Sequence, residues 1–522
     1  MMAPVVTAVH LEPSTSARRG ACATLPHVTD DRPSPRPCDV PARADGASAA
    51  PAFTAHEVER LTGGQLLRIS DRAIRGAAVD SRLIRPGELF VALRGERTDG
   101  HRHLAAAARA GAAALLLTDA PTAAELAALG DVTIVQVPDA LRGLHALAAG
   151  WRARFDPLVV GITGSIAKTS TKEAVATVLA ADRRTLRSEG NQNNEIGLPL
   201  TVLRLGPDDE AAVLEMGMYV GGEIGDLARI ARPRIGVVTA VLGVHLGRIG
   251  SIAAIEDAKA ELVEALPPDG VAVLNADDPR VLRMAGRTPA RAVTYGFVDD
   301  ADVGAEDVAS AGLDGMRFTL RLPSATPGGA LRLLPATVPA LGRLSVHNAL
   351  AGAAVGLAAG MTPEAIVAAL AGGWAAPHRG QVVRVGEMTI IDDAYNASPA
   401  SVLAALELLA GLPGRRVAVL GEMLELGAGA DAGHREVGRA AAAVCALLCV
   451  VGPGAAKIAA GAREAGMAAD RIIETADRED AGARLRLLLG PGDVVLVKAS
   501  RGVELDLLVD ALAAAFGADG AR

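Results

Sequence analysis

The sequence predicts an α/β protein of three domains built around mostly parallel sheets. Its 522 residues are enough for about three to four domains. Half are hydrophobic but only 2% are aromatic, so the cores must be aliphatic, a mix that suits Val/Leu strands beneath Ala-rich helices. Short aliphatic runs that end in a polar residue or glycine recur along the chain, with helical periodicity between them.

In chain order, residues 1–50 are rich in Pro, Ser, Arg and Ala and lack the basic start and apolar core of a secretory signal. They read as a disordered extension. Residues 51–150 read as a small α/β domain, with Asp80-Ser81-Arg82, a turn at Pro86-Gly87, an apolar run at 89–93 and an Ala-rich helix leading into a strand over 105–117. Residues 151–374 form a central domain whose runs at 158–160, 212–214, 235–238 and 271–274 end at Gly161, Glu215, Thr239 and Asn275. Residues 375–522 hold a second open sheet, with runs at 389–391, 417–420, 447–451 and 494–497 leading into Asp392-Asp393, Gly421-Glu422, Gly452 and Lys498. Ligands of open α/β sheets bind beyond the carboxyl ends of the strands. Two sheets with polar rims therefore predict a cleft between domains.

The net charge is −8 without a long basic run, which argues against a nucleic-acid partner. No apolar stretch is long enough to suggest a membrane span. The four cysteines, Cys22, Cys38, Cys445 and Cys449, form no CxxC pair and read as reduced thiols of a cytoplasmic protein. Cys445 and Cys449 fit one helix face or the two sides of a helix–strand boundary.

One motif carries chemistry by itself. Gly161-Ile-Thr-Gly164-Ser165-Ile-Ala167-Lys168-Thr169 follows a predicted strand and opens a predicted helix. Such a turn aims backbone N–H groups at phosphate oxygens, with a lysine for the β/γ-phosphates and a hydroxyl for Mg²⁺. Ile162 and Ala167 stand where the general pattern has glycines, so an ordinary βα turn with an exposed lysine stays open on the pattern alone. If position 167 needs positive φ, its Cβ costs roughly 1 kcal/mol; if only its N–H is needed, Ala is harmless.

Over about residues 55–510 the chain resembles the Mur ligases, ATP-dependent amide ligases of peptidoglycan synthesis. The resemblance rests on the 164–169 loop, on Asp80-Ser81-Arg82, on Asn193-Asn194, on Glu215-Met-Gly217 and on His347-Asn348. It rests most specifically on Asp392-Asp393-Ala-Tyr395-Asn396-Ala-Ser398-Pro399 and on the stretch 420–427 followed by His434. The last two resemble the branch that adds D-alanyl-D-alanine to a UDP-N-acetylmuramoyl tripeptide. The family's usual Thr-Asn-Ile is absent before His245.

The resemblance implies a small N-terminal UDP-substrate-binding α/β domain, a central parallel-sheet P-loop ATPase domain and a C-terminal Rossmann-like domain. It also implies the roles of individual residues. Gly164, Ser165, Ala167, Lys168, Thr169 and Ser170 would cradle the phosphates. Asn348 would contact adenine, Asp393 the ribose and Arg379 phosphate, with Asn275 also at the nucleotide. Thr169 and Glu215 would hold one Mg²⁺. His245 and a carbamoylated Lys259 would hold a second. Ser81 and Arg82 would contact the uridine nucleotide, and Asn193 and Asn194 the peptide substrate. Tyr395, Asn396 and Lys498 would face the dipeptide. Lys168, Lys259, His245 and Arg379 are the candidate catalytic residues, in a monomer with a hinge near 374–378. Read without the resemblance, Lys259 is a solvated face lysine and Arg379 a surface arginine. A diaminopimelate-adding or folylpolyglutamate-type ligase and a silent nucleotide-binding paralogue are the competing expectations.

Overall fold

The computed structural model describes residues 51–519 except 96–97, 191, 244–248, 324–329 and 425. Among them the strands form three sheets. The first contains β1 (Gln65–Arg68), β2 (Ala77–Ala78), β3 (Leu89–Val91), β4 (Ala114–Leu117) and β5 (Thr133–Gln136), in the order β1-β5-β4-β3-β2. Only β1 runs antiparallel to its neighbour.

The second sheet has nine strands: β6 (Leu158–Thr163), β7 (Thr185–Arg187), β8 (Ala211–Glu215), β9 (Ile235–Val238), β10 (Val271–Asn275), β11 (Arg291–Gly296), β12 (Val303–Ser310), β13 (Met316–Leu322) and β14 (Arg332–Val338). Their order is β14-β13-β12-β11-β10-β9-β6-β8-β7, parallel from β12 to β7. Strands β8 and β9 are buried throughout, because helices or the first sheet cover both faces. The order reverses at β6, so the loop after β6 opens into a crevice at a topological switch point.

The third sheet comprises β15 (Gln381–Val385), β16 (Met388–Asp392), β17 (Arg415–Gly421), β18 (Leu447–Val451), β19 (Ile472–Thr475) and β20 (Asp493–Lys498). Its order is β15-β16-β20-β17-β18-β19, with only β15 antiparallel. The reversal between β20 and β17 puts Lys498 opposite Leu420, one residue before Gly421, at the strand ends. The antiparallel strands β12–β14 are absent from the sequence expectation. Most of β12 is exposed or half-buried and β14 alternates between half-buried or buried and exposed residues, so these two lack the continuous aliphatic run of a parallel strand.

Packing separates the sheets unequally. One apolar core runs without a break from Phe53, Leu89 and Val91 through Leu147 and Trp151 to Ala212 and Leu214. Trp151 Nε1 donates to Leu205 O at 3.0 Å and Arg152 Nε to Ala231 O at 2.8 Å. The first two sheets are thus joined through one core. The third is filled by two clusters of its own. On the other face of the central sheet, the helix Arg343–Ala358 lies against the helix Lys168–Ala180. Glycine allows that approach, since a Cβ on Gly356 would come within 2.9 Å of Val178 Cγ1.

Cys445 caps a helix and Cys449 lies in β18, so the two fall on either side of a helix–strand boundary. Both are free and buried, and burial pushes each thiol up to about 12. Cys22, Cys38 and the 1–50 extension lie outside the described residues. No helix among the described residues is long and apolar enough to cross a membrane.

Candidate active site between two sheets

The turn after β6 is built for a close approach. A Cβ on Gly164 would lie 1.8 Å from Thr239 Oγ1, so only glycine fits. Thr239 in turn donates to Ile166 O at 2.6 Å, and Ser165 N donates to Ala240 O at 2.8 Å. Ser165 Oγ donates to Leu242 O at 3.1 Å and accepts from Leu242 N at 2.9 Å. The loop is therefore pinned to the end of β9. Ala167 has φ 62° and ψ 1° and stands at the N-cap of helix Lys168–Ala180 without a side-chain cap. The alternative left open by the sequence is resolved: position 167 is left-handed, and the Cβ is strained there.

Lys168 Nζ donates to Gly164 O at 2.8 Å. Burial lowers its pKa, the charge of Glu215 opposes that, and Arg379 adds to it. Thr169 is buried beside it and Ser170 half-buried. Glu215 ends β8 and is 2% exposed. Its Oε1 accepts from Asn193 Nδ2 at 2.8 Å, while its Oε2 is buried without a protein partner. Asn194 acts locally, its Oδ1 accepting from Gly197 N at 2.9 Å.

Lys259 sits on helix Ile252–Glu264 and is 3% exposed, which overturns the solvated-face reading. Burial first, and the charge of Lys168 second, hold its pKa well below the ordinary lysine value. It does not line the cavity described below. His245 lies outside the described residues.

Asn275, at the end of β10, donates from Nδ2 to Thr239 O at 2.7 Å and meets His347 Nε2 at 3.1 Å. Asn348 Oδ1 accepts from Thr171 Oγ1 at 2.9 Å, tying helix Arg343–Ala358 to the loop helix. His347 packs on Tyr295 and Phe297 with centroids at 4.9 and 5.7 Å. The guanidinium of Arg343 covers the Phe297 ring at 4.1 Å.

The third sheet supplies the opposite wall. The link into β15 holds three left-handed residues, Gly373, His378 and Gly380. His378 is fixed there by a 2.7 Å bond from Nδ1 to Asp392 Oδ2. Burial raises the Asp392 pKa, and the His378 bond opposes the rise. Arg379, next in sequence, is half-buried, lies 4.2 Å over the Tyr395 ring and has a buried Nε without a partner. Lys498 is 4% exposed and donates to Asp393 Oδ2 at 2.6 Å and Asn396 O at 2.9 Å. In the 420–427 motif, His434 Nε2 accepts from Met423 N at 2.9 Å while Nδ1 bonds Ala430 O at 2.6 Å. The histidine therefore anchors the loop. Glu425 lies outside the described residues.

These groups meet in one cavity of about 1070 Å³, lined by Ser165, Ala167, Lys168, Thr169, Ser170, Asn193, Asn194, Glu215, Asn275, Asn348, Arg379, Asp393, Tyr395, Asn396 and Lys498. Ser81 and Arg82 lie off it. Arg82 is exposed and paired with Asp80 at 2.6 Å. A separate cavity of about 780 Å³ opens beyond β3, β4 and β5, lined by Arg94, Thr118, Asp119 and Asp139 among others. The sequence also puts Arg501, with Lys498 and Ser500, at the cleft end of the last strand, and Arg501 lines the large cavity and faces the same Tyr395 ring at 5.5 Å. Its place directly after β20 was the available signal.

A phosphate-binding turn on one sheet, facing a cation-bearing wall from another, defines a nucleotide-dependent enzyme with an interdomain site. Comparison with known proteins narrows this class. Sequence models of the Mur ligase family catalytic domain, middle domain and glutamate ligase domain match residues 73–152, 162–356 and 378–501. The UDP-N-acetylmuramoyl-tripeptide--D-alanyl-D-alanine ligase of Mycobacterium tuberculosis is 40% identical over 508 residues, covering 88% of this chain and 98% of that one. The Escherichia coli enzyme of the same name is 36% identical over 472 residues with the same coverage. A crystal structure of MurF from Acinetobacter baumannii has a TM-score of 0.79 at 27% identity, covering 89% of this chain and 99% of that one. MurF from Thermotoga maritima in complex with ADP has a TM-score of 0.73 at 28% identity, covering 85% and 98%. The chain belongs to the Mur ligase family.

Proposed function

We propose that this protein joins D-alanyl-D-alanine to the UDP-N-acetylmuramoyl tripeptide at the expense of ATP, in peptidoglycan synthesis. The observation that carries this reading is the cavity in which Ser165–Thr169 face Asp393, Tyr395 and Asn396. Full-length similarity to ligases of that name supports it.

A carboxylate at neutral pH does not react with an amine until its oxygen becomes a leaving group. Transfer of the γ-phosphoryl from ATP to the tripeptide carboxylate gives an acyl phosphate and ADP. Attack by the dipeptide amine on the acyl carbon forms the amide and expels phosphate. The protein's work is positioning and charge neutralisation. Backbone N–H groups at the start of the helix Lys168–Ala180 would face phosphate oxygens, and Lys168 would balance their charge. Arg379, held by Tyr395 below and by the His378–Asp392 bond behind, brings a second cation from the other wall. Asn348 and Asn275 border the nucleoside side, and Asp393 is placed for the ribose. Asn193 orients Glu215 and borders the tripeptide together with Asn194.

The donor set suits Mg²⁺. Glu215 Oε2 is a buried carboxylate oxygen with no protein partner, Thr169 lines the same cavity, and Mg²⁺ prefers oxygen ligands and phosphate. Thr169 and Glu215 would hold it, and it would supply charge neutralisation at the phosphoryl oxygens. Lys259, an amine that burial keeps toward its neutral form, has the nucleophilicity that carbamoylation requires. Its carbamate, together with His245, would offer oxygen and nitrogen ligands to a second ion.

The test is direct: incubation with ATP, Mg²⁺, the UDP-N-acetylmuramoyl tripeptide and D-alanyl-D-alanine, following phosphate and pentapeptide. Dipeptide-dependent phosphate release is expected. Its absence, or equal release with diaminopimelate or glutamate as the amine, would overturn the assignment.

A further inference from the structure

We propose that Arg501 reads the free carboxylate of the incoming dipeptide, an inference that rests on the ligase reading above. A dipeptide differs from a simple amine in the charge at its far end. Taking that carboxylate out of water requires a cation with hydrogen bonds to give.

Among the described residues, five lysine or arginine side chains line the cavity: Lys168, Arg343, Arg379, Lys498 and Arg501. Four have other engagements. Lys168 is folded into the phosphate turn. Arg343 lies on Phe297 at the nucleoside end. Arg379 is stacked close on Tyr395 on the phosphate side. Lys498 is nearly enclosed and bonded to Asp393 and Asn396. Arg501 differs: its side chain is 59% exposed, and its one hydrogen-bond partner among the described residues is Asp506 Oδ2, 2.9 Å from Nη1. A guanidinium carries five N–H donors. The Asp506 contact steadies the group and leaves a fork for a carboxylate.

The spacing also fits. Arg379 and Arg501 share the Tyr395 ring at 4.2 and 5.5 Å. An extended dipeptide spans about 7 Å. The two guanidiniums are at most about 10 Å apart by way of that ring, so a dipeptide whose carboxylate meets Arg501 can keep its amine within the same cavity as Arg379.

The experiment compares kcat/KM for D-alanyl-D-alanine and for its C-terminal amide, in the wild type and in Arg501→Met, with saturating ATP, Mg²⁺ and tripeptide. A merely structural role for Arg501 would lower both substrates together. The wild type is expected to favour the acid by about tenfold or more, and Arg501→Met to reduce that ratio to within about threefold. Arg501→Lys should keep an intermediate ratio, and it carries the test if the methionine variant does not fold. A wild-type ratio retained in both variants, or a wild type indifferent to the amide, overturns the assignment of Arg501 and leaves the ligase reading standing. A wild type that consumes neither dipeptide overturns both.

Discussion

Replacing Ala167 by glycine should stabilise the protein, the opposite of the sign for alanine to glycine inside a helix. Ala167 is held at φ 62° by the turn that follows β6. A left-handed conformation costs an L-residue with a Cβ roughly 1–2 kcal/mol. Glycine removes that cost but loses more backbone freedom on folding, roughly 0.5–1 kcal/mol. The balance is a gain of about 0.5–1 kcal/mol. The Thr171 N to Ala167 O bond is backbone to backbone, so the substitution leaves it intact. For a domain of about 150–250 residues, 1 kcal/mol shifts Tm by about 2–4 °C. A167G should therefore melt about 1–4 °C higher, in a scan that follows the transition sensitive to bound ATP. Because glycine keeps the backbone N–H at position 167, the Kd for ATP should change by less than about threefold, equivalent to about 0.6 kcal/mol. A fall in Tm would refute the reasoning, since it would mean that residue 167 pays no left-handed penalty. Ala167→Val supplies the opposite arm, because a β-branched residue tolerates φ > 0 poorly.

Lys168→Ala should reduce ATP turnover by at least about 100-fold, as loss of one transition-state donor does in other sites; phosphate release with all substrates present checks it. Glu215→Gln should raise the Mg²⁺ concentration needed for half-maximal activity by more than about tenfold. Lys259 titrates well below the ordinary lysine value in the folded state, against about 10.4 unfolded. Between those two values the unfolded chain binds the extra proton, so stability rises with pH there. In bicarbonate-free buffer the wild type should gain stability between neutral pH and about pH 9 relative to Lys259→Met, and parallel curves would contradict the assigned burial.

The parallel strands were legible because each is buried on both faces and so written as an uninterrupted aliphatic run, as at β8, β9 and β20. The polar residue that ends such a run projects into the crevice, which is why Glu215, Asn275 and Lys498 could be picked out. Antiparallel β12–β14 escaped notice, since a half-exposed strand such as Arg332–Val338 alternates and includes Pro335. Side-chain relations across the chain were not legible either. Nothing in the order of residues says that Asn193 bonds Glu215 or that His434 is spent on Met423 N. The left-handed turn at Ala167 was legible only as a fork, because alanine is compatible with either backbone and only the position of Thr239 behind Gly164 fixes the path.

The distribution of unsatisfied polar atoms gives an argument for the site that does not use resemblance. Burying a polar atom without a partner costs about 1–3 kcal/mol, so native interiors hold few. Among the described residues these atoms are Thr163 Oγ1, Glu215 Oε2, Tyr295 OH, Arg379 Nε and Asp506 Oδ1. Glu215 and Arg379 line the large cavity, and Asp506 holds Arg501, which lines it as well. Thr163 is the last residue of β6, directly before the phosphate turn. Tyr295 packs on His347, another cavity residue. An acceptor on one wall and a donor on the other, each costly alone, are what a cation-bound phosphate chain would satisfy together: the cation at Glu215 and the phosphoryl oxygens at Arg379. The third sheet has core clusters of its own and meets the central one through a link with three left-handed residues. Substrate that bridges the two walls would therefore convert local cost into closure. On this reasoning, ATP with Mg²⁺ should draw the third sheet toward the phosphate turn, and ATP without the metal should do so far less.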